Sequence, residues 1–298
     1  MPLTTRRRAV ATFAAALAGG VAVPAQAARA DEAGGQDAHH LGPRPLRRAH
    51  AHNDYLHPRP LLDALSHGFT SVEADIFLVD GRLLVAHDPV DLDPARTLEA
   101  LYLDPLLARV RANHGQVHRG HRRPLQLLVD IKADGVAAYL ELHRVLHRYR
   151  GMLTTFAHGK VRTGAVTPVI SGDRFARVPM EEQRVRYAFY DGRLLDMLPA
   201  TPAAASFMPL ISDNWSNNFT WRGVGPIPAA EREKLRGIVA VAHQRGRRVR
   251  FWATPDLPGP ERDAVWHELL AAGVDHINTD DLAGLETFLR GYDLGAGR

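Results

Sequence analysis

Two carboxylates set two residues apart form the most informative chemical pattern in the chain. Glu73 and Asp75 lie in a run of apolar and β-branched residues that begins at Ser71. In an extended strand, side chains two residues apart point to the same face. Because hard oxygen ligands on one face suit Mg²⁺ or Ca²⁺, the pattern predicts a site for one divalent cation.

A turn and a histidine follow this run. The pair Asp80-Gly81 is typical of a two-residue hairpin turn, and residues 83–86 are strand-like again. Such a hairpin leads the chain back along the preceding strand. We therefore expect His87 to lie beside the two carboxylates, close to the cation.

The elements that must position these groups alternate regularly. From residue 46 almost to the C-terminus, short strand-like runs alternate with helical patterns, which is typical of repeated βα units. About eight strands favour a single α/β domain with the closed TIM (β/α)8 barrel. The stretch 151–202 allows more than one placement of its strands, because it is rich in proline and glycine. Predicted strands are 47–52, 71–78, 125–131, 166–171, 186–190, 207–212, 248–253 and 276–279, and predicted helices are 60–67, 136–149, 229–245, 261–272 and 282–290.

In such a barrel the chemistry belongs at the C-terminal ends of the strands. His52 and Asn53 end the first predicted strand, and Asp130 and Lys132 end a later one and share a face. Asp130 adds a third carboxylate to the cation site, which leaves positions for water and phosphate oxygens. Lys132 supplies a point charge for a phosphate oxygen. We expect these groups to meet at one end of the barrel.

Taken in order, these motifs resemble the PI-PLC/GDPD-like superfamily of barrel phosphodiesterases. That superfamily includes glycerophosphodiester phosphodiesterases, phosphatidylinositol-specific phospholipases C and sphingomyelinases D. The matching parts are His52, Glu73 with Asp75, the Asp-Gly turn, His87, Asp130 with Lys132, and the segment 273–280. The resemblance implies that His52 and His87 are the acid/base pair, that Glu73, Asp75 and Asp130 are the metal ligands, and that Lys132 contacts phosphate.

Two positions depart from the glycerophosphodiesterase pattern. Those enzymes usually have arginine after the first histidine and glutamate as the third ligand, whereas this chain has Asn53 and Asp130. An aspartate followed two residues later by lysine is more similar to sphingomyelinase D. The sequence His-Asn-Asp-Tyr from His52 resembles the branch named altered inheritance of mitochondria protein. The resemblance therefore leaves the substrate open.

Other side chains near this end have alternative interpretations. Asn53 either orients His52, binds substrate or caps the following loop. Trp252, on the predicted strand 248–253, either lines the substrate pocket or packs in the core. His50 shares the face of His52, and we expect it to be packed inside the barrel.

The first residues predict export. Arg6, Arg7 and Arg8 precede an apolar run at 9–23 and a small-residue cleavage site at 25–27, so residues 1–30 resemble a cleaved signal peptide, in the twin-arginine style. Residues 31–45 are interpreted as a flexible linker and 46–298 as the barrel domain. Without the four arginines of the leader, basic and acidic residues balance at 33 each, which argues against nucleic acid as a partner. The absence of cysteine excludes disulfides and thiolate chemistry.

These observations favour a secreted, metal-dependent phosphoric diester hydrolase that acts on a phospholipid head group or another small phosphodiester. Two histidines transfer protons, while a cation polarises the phosphate. The main alternative is a catalytically silent barrel that binds a phosphorylated ligand or cell-envelope polymer. A glycoside hydrolase fits less well, because its two carboxylates must flank a sugar bond. Peripheral contact with a membrane and the oligomeric state stay open.

Overall fold

The computed structural model describes residues 43–198 and 203–295. The predicted signal peptide (1–30) and most of the predicted linker (31–45) lie outside the described residues, so export remains a prediction. Within the described part, no helix combines the length and the apolar character that a membrane span needs.

The described chain forms a barrel of eight parallel strands. Neighbours in the sheet follow the order β11-β10-β9-β7-β4-β2-β1-β12, and a bridge between Arg250 and His276 closes the seam between β11 and β12. The strand bounds are β1 Leu46–Ala51, β2 Phe69–Val79, β3 Arg82–Val85, β4 Leu125–Ile131, β5 Thr155–Ala157, β6 Lys160–Arg162, β7 Val166–Gly172, β8 Val185–Arg186, β9 Phe189–Gly192, β10 Leu210–Asn214, β11 Arg248–Trp252 and β12 Ile277–Thr279. The predicted TIM-barrel class is confirmed.

Helices connect successive strands and cover the outside of the barrel. Their bounds are α1 Leu62–Ser66, α2 Asp104–Ala112, α3 Gly135–Arg148, α4 Arg177–Glu182, α5 Trp215–Asn218, α6 Ala229–Gln244, α7 Pro260–Ala272 and α8 Leu282–Gly295. All five predicted helices are present. The sequence patterns did not predict α2, which follows a short π-helical turn, Glu99–Leu103.

Strand alternation divides the buried side chains into two environments. On β2, Val72, Ala74 and Ile76 belong to the main hydrophobic core between the sheet and the helices. Glu73 and Asp75, on the opposite face, are buried in the barrel interior. The other strands alternate in the same way, and many of their inward-facing residues are polar. Polar groups therefore occupy interior positions that hold packed apolar side chains in most such barrels.

One predicted strand was misplaced. The prediction 186–190 joins two separate strands, because this run contains no glycine, proline or other turn residue that would mark a break. Val185–Arg186 belongs to a small antiparallel sheet with β5 and β6, and the barrel strand is Phe189–Gly192. Asp191 lies on this barrel strand, where it is buried and accepts a hydrogen bond from Ser212 Oγ at 2.7 Å.

Candidate active site

The hairpin after β2 brings a histidine to a carboxylate. β2 and β3 pair antiparallel around Asp80 and Gly81, whose φ angles of 48° and 74° match the predicted turn of two left-handed residues. As a result, the chain runs back along β2, and His87, just beyond β3, lies beside that strand. Its Nδ1 lies 2.9 Å from Asp75 Oδ2.

Asp75 is the centre of the first hydrogen-bond network. Its Oδ2 lies 2.8 Å from the Tyr55 hydroxyl and 3.2 Å from Lys132 Nζ, in addition to His87. A carboxylate oxygen accepts hydrogen bonds, so the proton of the neutral His87 ring is on Nδ1 and Nε2 is left as an acceptor. Burial lowers the pKa of Lys132, but the charges of Asp75 and Asp130 outweigh it and raise the pKa, which keeps this lysine cationic.

His52 is held in the same way by a residue from the far end of the chain. Its Nδ1 lies 2.7 Å from Oδ1 of Asp280, which follows β12. Burial lowers the pKa of His52, while the hydrogen bond to Asp280 and the charge of Glu73 raise it, and the net shift is upward. Each of the two histidines therefore presents Nε2 on the side away from its carboxylate.

Two side chains link the histidines to each other. Asn53 Nδ2 lies 3.0 Å from His52 Nδ1, and the Tyr55 hydroxyl lies 2.8 Å from Asn53 Oδ1 and 3.0 Å from His87 Nδ1. Asn53 adopts a left-handed conformation (φ 47°), which asparagine tolerates well. These contacts favour an orienting role for Asn53 among the interpretations that its position allowed.

Glu73 lies one layer deeper in the barrel. Its Oε2 accepts a hydrogen bond from Arg250 Nη1 at 2.8 Å and lies 3.1 Å from His50 Nε2. Burial raises the pKa of Glu73, but Arg250 and His50 more than compensate and hold it below its usual value. Burial also lowers the pKa of His50 to about 4, so this histidine is neutral. His50 is fully buried, as expected for a residue packed in the barrel interior.

Asp130 completes a group of three carboxylates on neighbouring strands. It pairs in register with Asp75 across the β2–β4 ladder, and Glu73 lies two residues earlier on β2. Burial, followed by the charges of Asp75 and Glu73, raises the pKa of Asp130 to about 7. Lys132 Nζ is 3.8 Å from Asp130 Oδ1. At this distance the lysine offsets little of the repulsion between Asp130 and the other two carboxylates. The interior therefore has more negative charge here than its cations balance.

The three carboxylates differ in how many of their oxygens are free to bind the expected cation. In the part of the chain that the structure describes, no group of three histidine, aspartate or glutamate side chains forms a ready-made metal cluster. However, no hydrogen bond from a described residue reaches Glu73 Oε1, Asp75 Oδ1 or either oxygen of Asp130. The free oxygens and the crowded negative charge fit the donor chemistry of a hard divalent cation. Metal binding remains a prediction.

Trp252 lies at the end of β11 and is partly exposed. The guanidinium of Arg193 stacks 4.7 Å from its ring centroid, and that of Arg250 lies 5.9 Å away. Arg193 also donates to Asp191 and reaches Ser171 Oγ at 3.2 Å. An aromatic face beside a cation forms a wall suited to an anionic substrate group.

Sequence reasoning missed several residues of this site. Tyr55 and Asp280 stood in motifs that were recognised, but neither was assigned a role. Arg250 and Arg193 were not singled out, because a lone arginine in or after a strand has no distinguishing pattern. A usable signal existed for Arg250. Arg248, Arg250 and Trp252 are two residues apart and share one face of their strand. A cation buried inside a barrel needs a carboxylate partner.

Comparisons with known proteins find family models, related sequences and a solved structure that are similar to this chain. The profile described as AIM6-like phosphodiesterase domain matches residues 44–191, and that of the glycerophosphoryl diester phosphodiesterase family matches 248–283. The altered inheritance of mitochondria protein 6 of Eremothecium gossypii is 30% identical over 82% of this chain and 69% of its own length. The homolog from Arthroderma benhamiae is 28% identical over 78% of this chain and 81% of its own. A glycerophosphodiester phosphodiesterase from Agrobacterium tumefaciens is similar in structure at 15% identity, with a TM-score of 0.44, over 83% of this chain and all of that one.

Proposed function

The chain belongs to the family of AIM6-like phosphodiesterase domains, and from this premise we propose that it is a metal-dependent phosphodiesterase of a phospholipid-derived or other small phosphodiester. The observation that carries the proposal is the pair of carboxylate-bound histidines, His52 and His87, joined through Asn53 and Tyr55. A phosphodiester needs one group that removes a proton from the nucleophile and another that protonates the leaving oxygen.

The surroundings of the two histidines support different roles. The hydrogen bond to Asp280 and the charge of Glu73 outweigh burial and raise the pKa of His52, which favours its protonated form and suits it to protonate the leaving oxygen. His87 is half exposed and presents an acceptor nitrogen, which suits removal of a proton from water or from a neighbouring substrate hydroxyl. Asp280 and Asp75 orient the two rings and stabilise the imidazolium that forms on each.

The remaining groups bind the phosphate. Glu73, Asp75 and Asp130 would hold Mg²⁺ or Ca²⁺, which draws charge from a non-bridging phosphate oxygen. Lys132 stays cationic and binds a phosphate oxygen as a point charge. Trp252 and Arg193 form the facing wall for the rest of the substrate.

The experiment measures turnover of a panel of phosphodiesters, with products identified by ³¹P NMR. Turnover should stop on chelation and return with Mg²⁺ or Ca²⁺. His52→Ala and His87→Ala should each lower the rate by roughly 10² to 10⁴. His114→Ala, at an exposed loop position, is the matched control and should leave the rate unchanged. Full turnover in excess chelator contradicts the metal role, and ligand-dependent stabilisation without any product favours the silent binding barrel.

Exposed apolar side chains support a substrate at a membrane surface. Among the described residues, every large apolar side chain that is more than 65% exposed lies on a loop that follows a barrel strand or the β2–β3 hairpin, at the end that holds the site. They are Leu56, Val90, Phe175, Leu195, Leu198, Val224 and Leu257, with exposures from 68% to 89%. Separate apolar side chains spread around a site mouth suit shallow insertion into the headgroup region of a bilayer better than a continuous protein interface.

Vesicle binding tests this partner independently of the chemistry. A Val90→Ser/Leu257→Ser variant should bind phospholipid vesicles less than the wild type does, with unchanged turnover of a soluble short-chain phosphodiester. Val161→Ser, on the small antiparallel sheet, removes a 43% exposed valine and is the control. Equal vesicle binding by all three proteins contradicts the membrane partner and leaves the phosphodiesterase proposal standing.

A further inference from the structure

A second cavity opens at the end of the barrel opposite the candidate active site. It has a volume of about 1030 Å³ and is lined by residues at the N-terminal ends of β1, β4, β7 and β11, together with residues beside β12 and α8. Three residues of β11 show that this cavity is separate from the candidate active site. Arg248 lines this cavity, Arg250 pairs with Glu73 in the middle layer, and Trp252 lies in the active site. Four residues of strand place Trp252 about 13 Å from Arg248.

The middle layer divides the two ends. On one side it consists of the His50, Glu73 and Arg250 cluster. On the other side it is a small apolar cluster of Leu128, Val169, Phe189 and Leu210. The second cavity is therefore not a continuation of the phosphodiester pocket.

The cavity walls carry an excess of positive charge. Five arginines line it, contributed by the start of the described chain, β1, the segment before β4, and β11. They are Arg44, Arg47, Arg48, Arg123 and Arg248. Only two acids line the same cavity, Asp275 and Asp293. Asp275 Oδ2 already accepts from His243 Nε2 and from the backbone of Val249, each at 2.8 Å. The arginine charges therefore exceed what the carboxylates of the walls balance.

The deepest of these arginines has an unusual partner. Arg248 Nη1 lies 3.0 Å from His276 Nε2, and within the described residues no carboxylate lies within salt-bridge distance of this guanidinium. An arginine can only donate, so Nε2 of His276 is the acceptor and the ring proton is on Nδ1. His276 is 4% exposed, and its Nδ1 has no hydrogen-bond partner. A buried N–H donor without an acceptor is costly.

The surroundings of His276 keep its ring neutral. Burial, followed by the charges of Arg248, His50, Arg250 and Arg48, holds the pKa of His276 well below its usual value, so the ring stays neutral. Burial and the charges of Arg123 and Arg47 also lower the pKa of His121, another residue of the cavity wall. In both cases the arginine charges add to the effect of burial, and an anion in the cavity would offset this electrostatic part.

We infer that this cavity binds a small soluble polyanion with two or more phosphate-type groups, at a site separate from the catalytic end. The guanidinium groups supply charge and paired donors for oxyanions. The volume matches that of sites for small organic ligands. The balanced charge of residues 31–298 conceals this local excess, because the compensating acids lie elsewhere.

Calorimetric titration with inorganic pyrophosphate, in buffer freed of divalent metal, tests the site. The wild type should bind pyrophosphate, and more tightly than it binds orthophosphate. Arg47→Gln/Arg123→Gln removes two exposed cations of the cavity and should weaken binding by about tenfold or more. Arg236→Gln, at an exposed position on α6, is the matched control and should bind as the wild type does.

Two further variants show at which end of the barrel pyrophosphate binds. Lys132→Ala, at the catalytic end, should leave the affinity for pyrophosphate unchanged. Arg248→Gln should weaken it, and if that variant does not fold, the Arg47→Gln/Arg123→Gln pair decides. The inference is overturned if the wild type does not bind, or if Lys132→Ala abolishes binding while the variants of the second cavity retain it.

Discussion

The buried ion pair between Glu73 and Arg250 makes a sharp prediction about stability. The Arg250 side chain is 4% exposed and that of Glu73 is 7% exposed, with Nη1 and Oε2 2.8 Å apart. Replacing Arg250 with methionine keeps much of the volume but leaves a carboxylate inside the barrel without its cation. His50 cannot take over, because burial lowers its pKa to about 4 and it stays neutral.

The expected cost follows from this geometry. Removing one partner of a buried ion pair destabilises a protein by about 3–5 kcal/mol, because the other charge is left uncompensated. For a domain of roughly 250 residues, about 2–4 °C of melting temperature corresponds to each kcal/mol, so Arg250→Met should melt about 6–20 °C lower. Glu73→Gln/Arg250→Met removes both charges and should recover part of this loss.

Urea denaturation of the metal-free protein measures the free energies of unfolding. Arg232→Met is the matched control, because Arg232 forms a surface pair with Glu268 that is much more exposed, and its loss should change stability little. If Arg250→Met is no more destabilising than Arg232→Met, or if the double variant is less stable than Arg250→Met, the account of a desolvated, charge-balanced interior is wrong.

Three further predictions concern the site and its supports. Asp280→Asn removes a hydrogen bond and a charge that raise the pKa of His52, so the limb of the pH–rate profile that reports His52 should move to lower pH; an unmoved profile would exclude this pairing. Gly172→Ala should lower both turnover and melting temperature, because φ is 81° and the added carbon would lie 2.6 Å from Asp130 Oδ1; wild-type values would show that the strands yield easily. Burial raises the pKa of Asp54 from 3.8 to about 7, so its stabilising effect is complete below pH 3.8 and is lost as the pH rises to about 7. Asp54→Asn should flatten that decline in urea denaturation, and an unchanged slope would assign it to other groups.

Local pattern was sufficient for much of the architecture. The two-residue turn at Asp80-Gly81 and the strands on either side of it were predictable, because left-handed turn residues and period-two alternation are properties of neighbouring residues. The division at 185–192 was not predictable. Residues 186–190 contain no turn residue, and only pairing partners distant in sequence decide that Arg186 joins one sheet and Phe189 another.

The candidate site shows the same distinction. His52, His87, Glu73, Asp75, Asp130 and Lys132 were selected by type, order and resemblance. The structure joins His87 and Lys132 directly to Asp75, and connects His52 through Asn53 and Tyr55. The pairing of His52 with Asp280 spans more than 200 residues of chain, so no local spacing could indicate it.

The sequence by itself determined the barrel class and the kinds of chemical groups at the ends of its strands, because these depend on periodicity and composition over short windows. Only the tertiary structure decided which charges face each other. It paired Glu73 with Arg250, left oxygens of Asp75 and Asp130 without hydrogen bonds, and gathered arginines around a cavity at the opposite end. The physical reason is that burial and Coulomb interactions act through space, so the protonation state of a side chain depends on neighbours that the order of residues does not reveal.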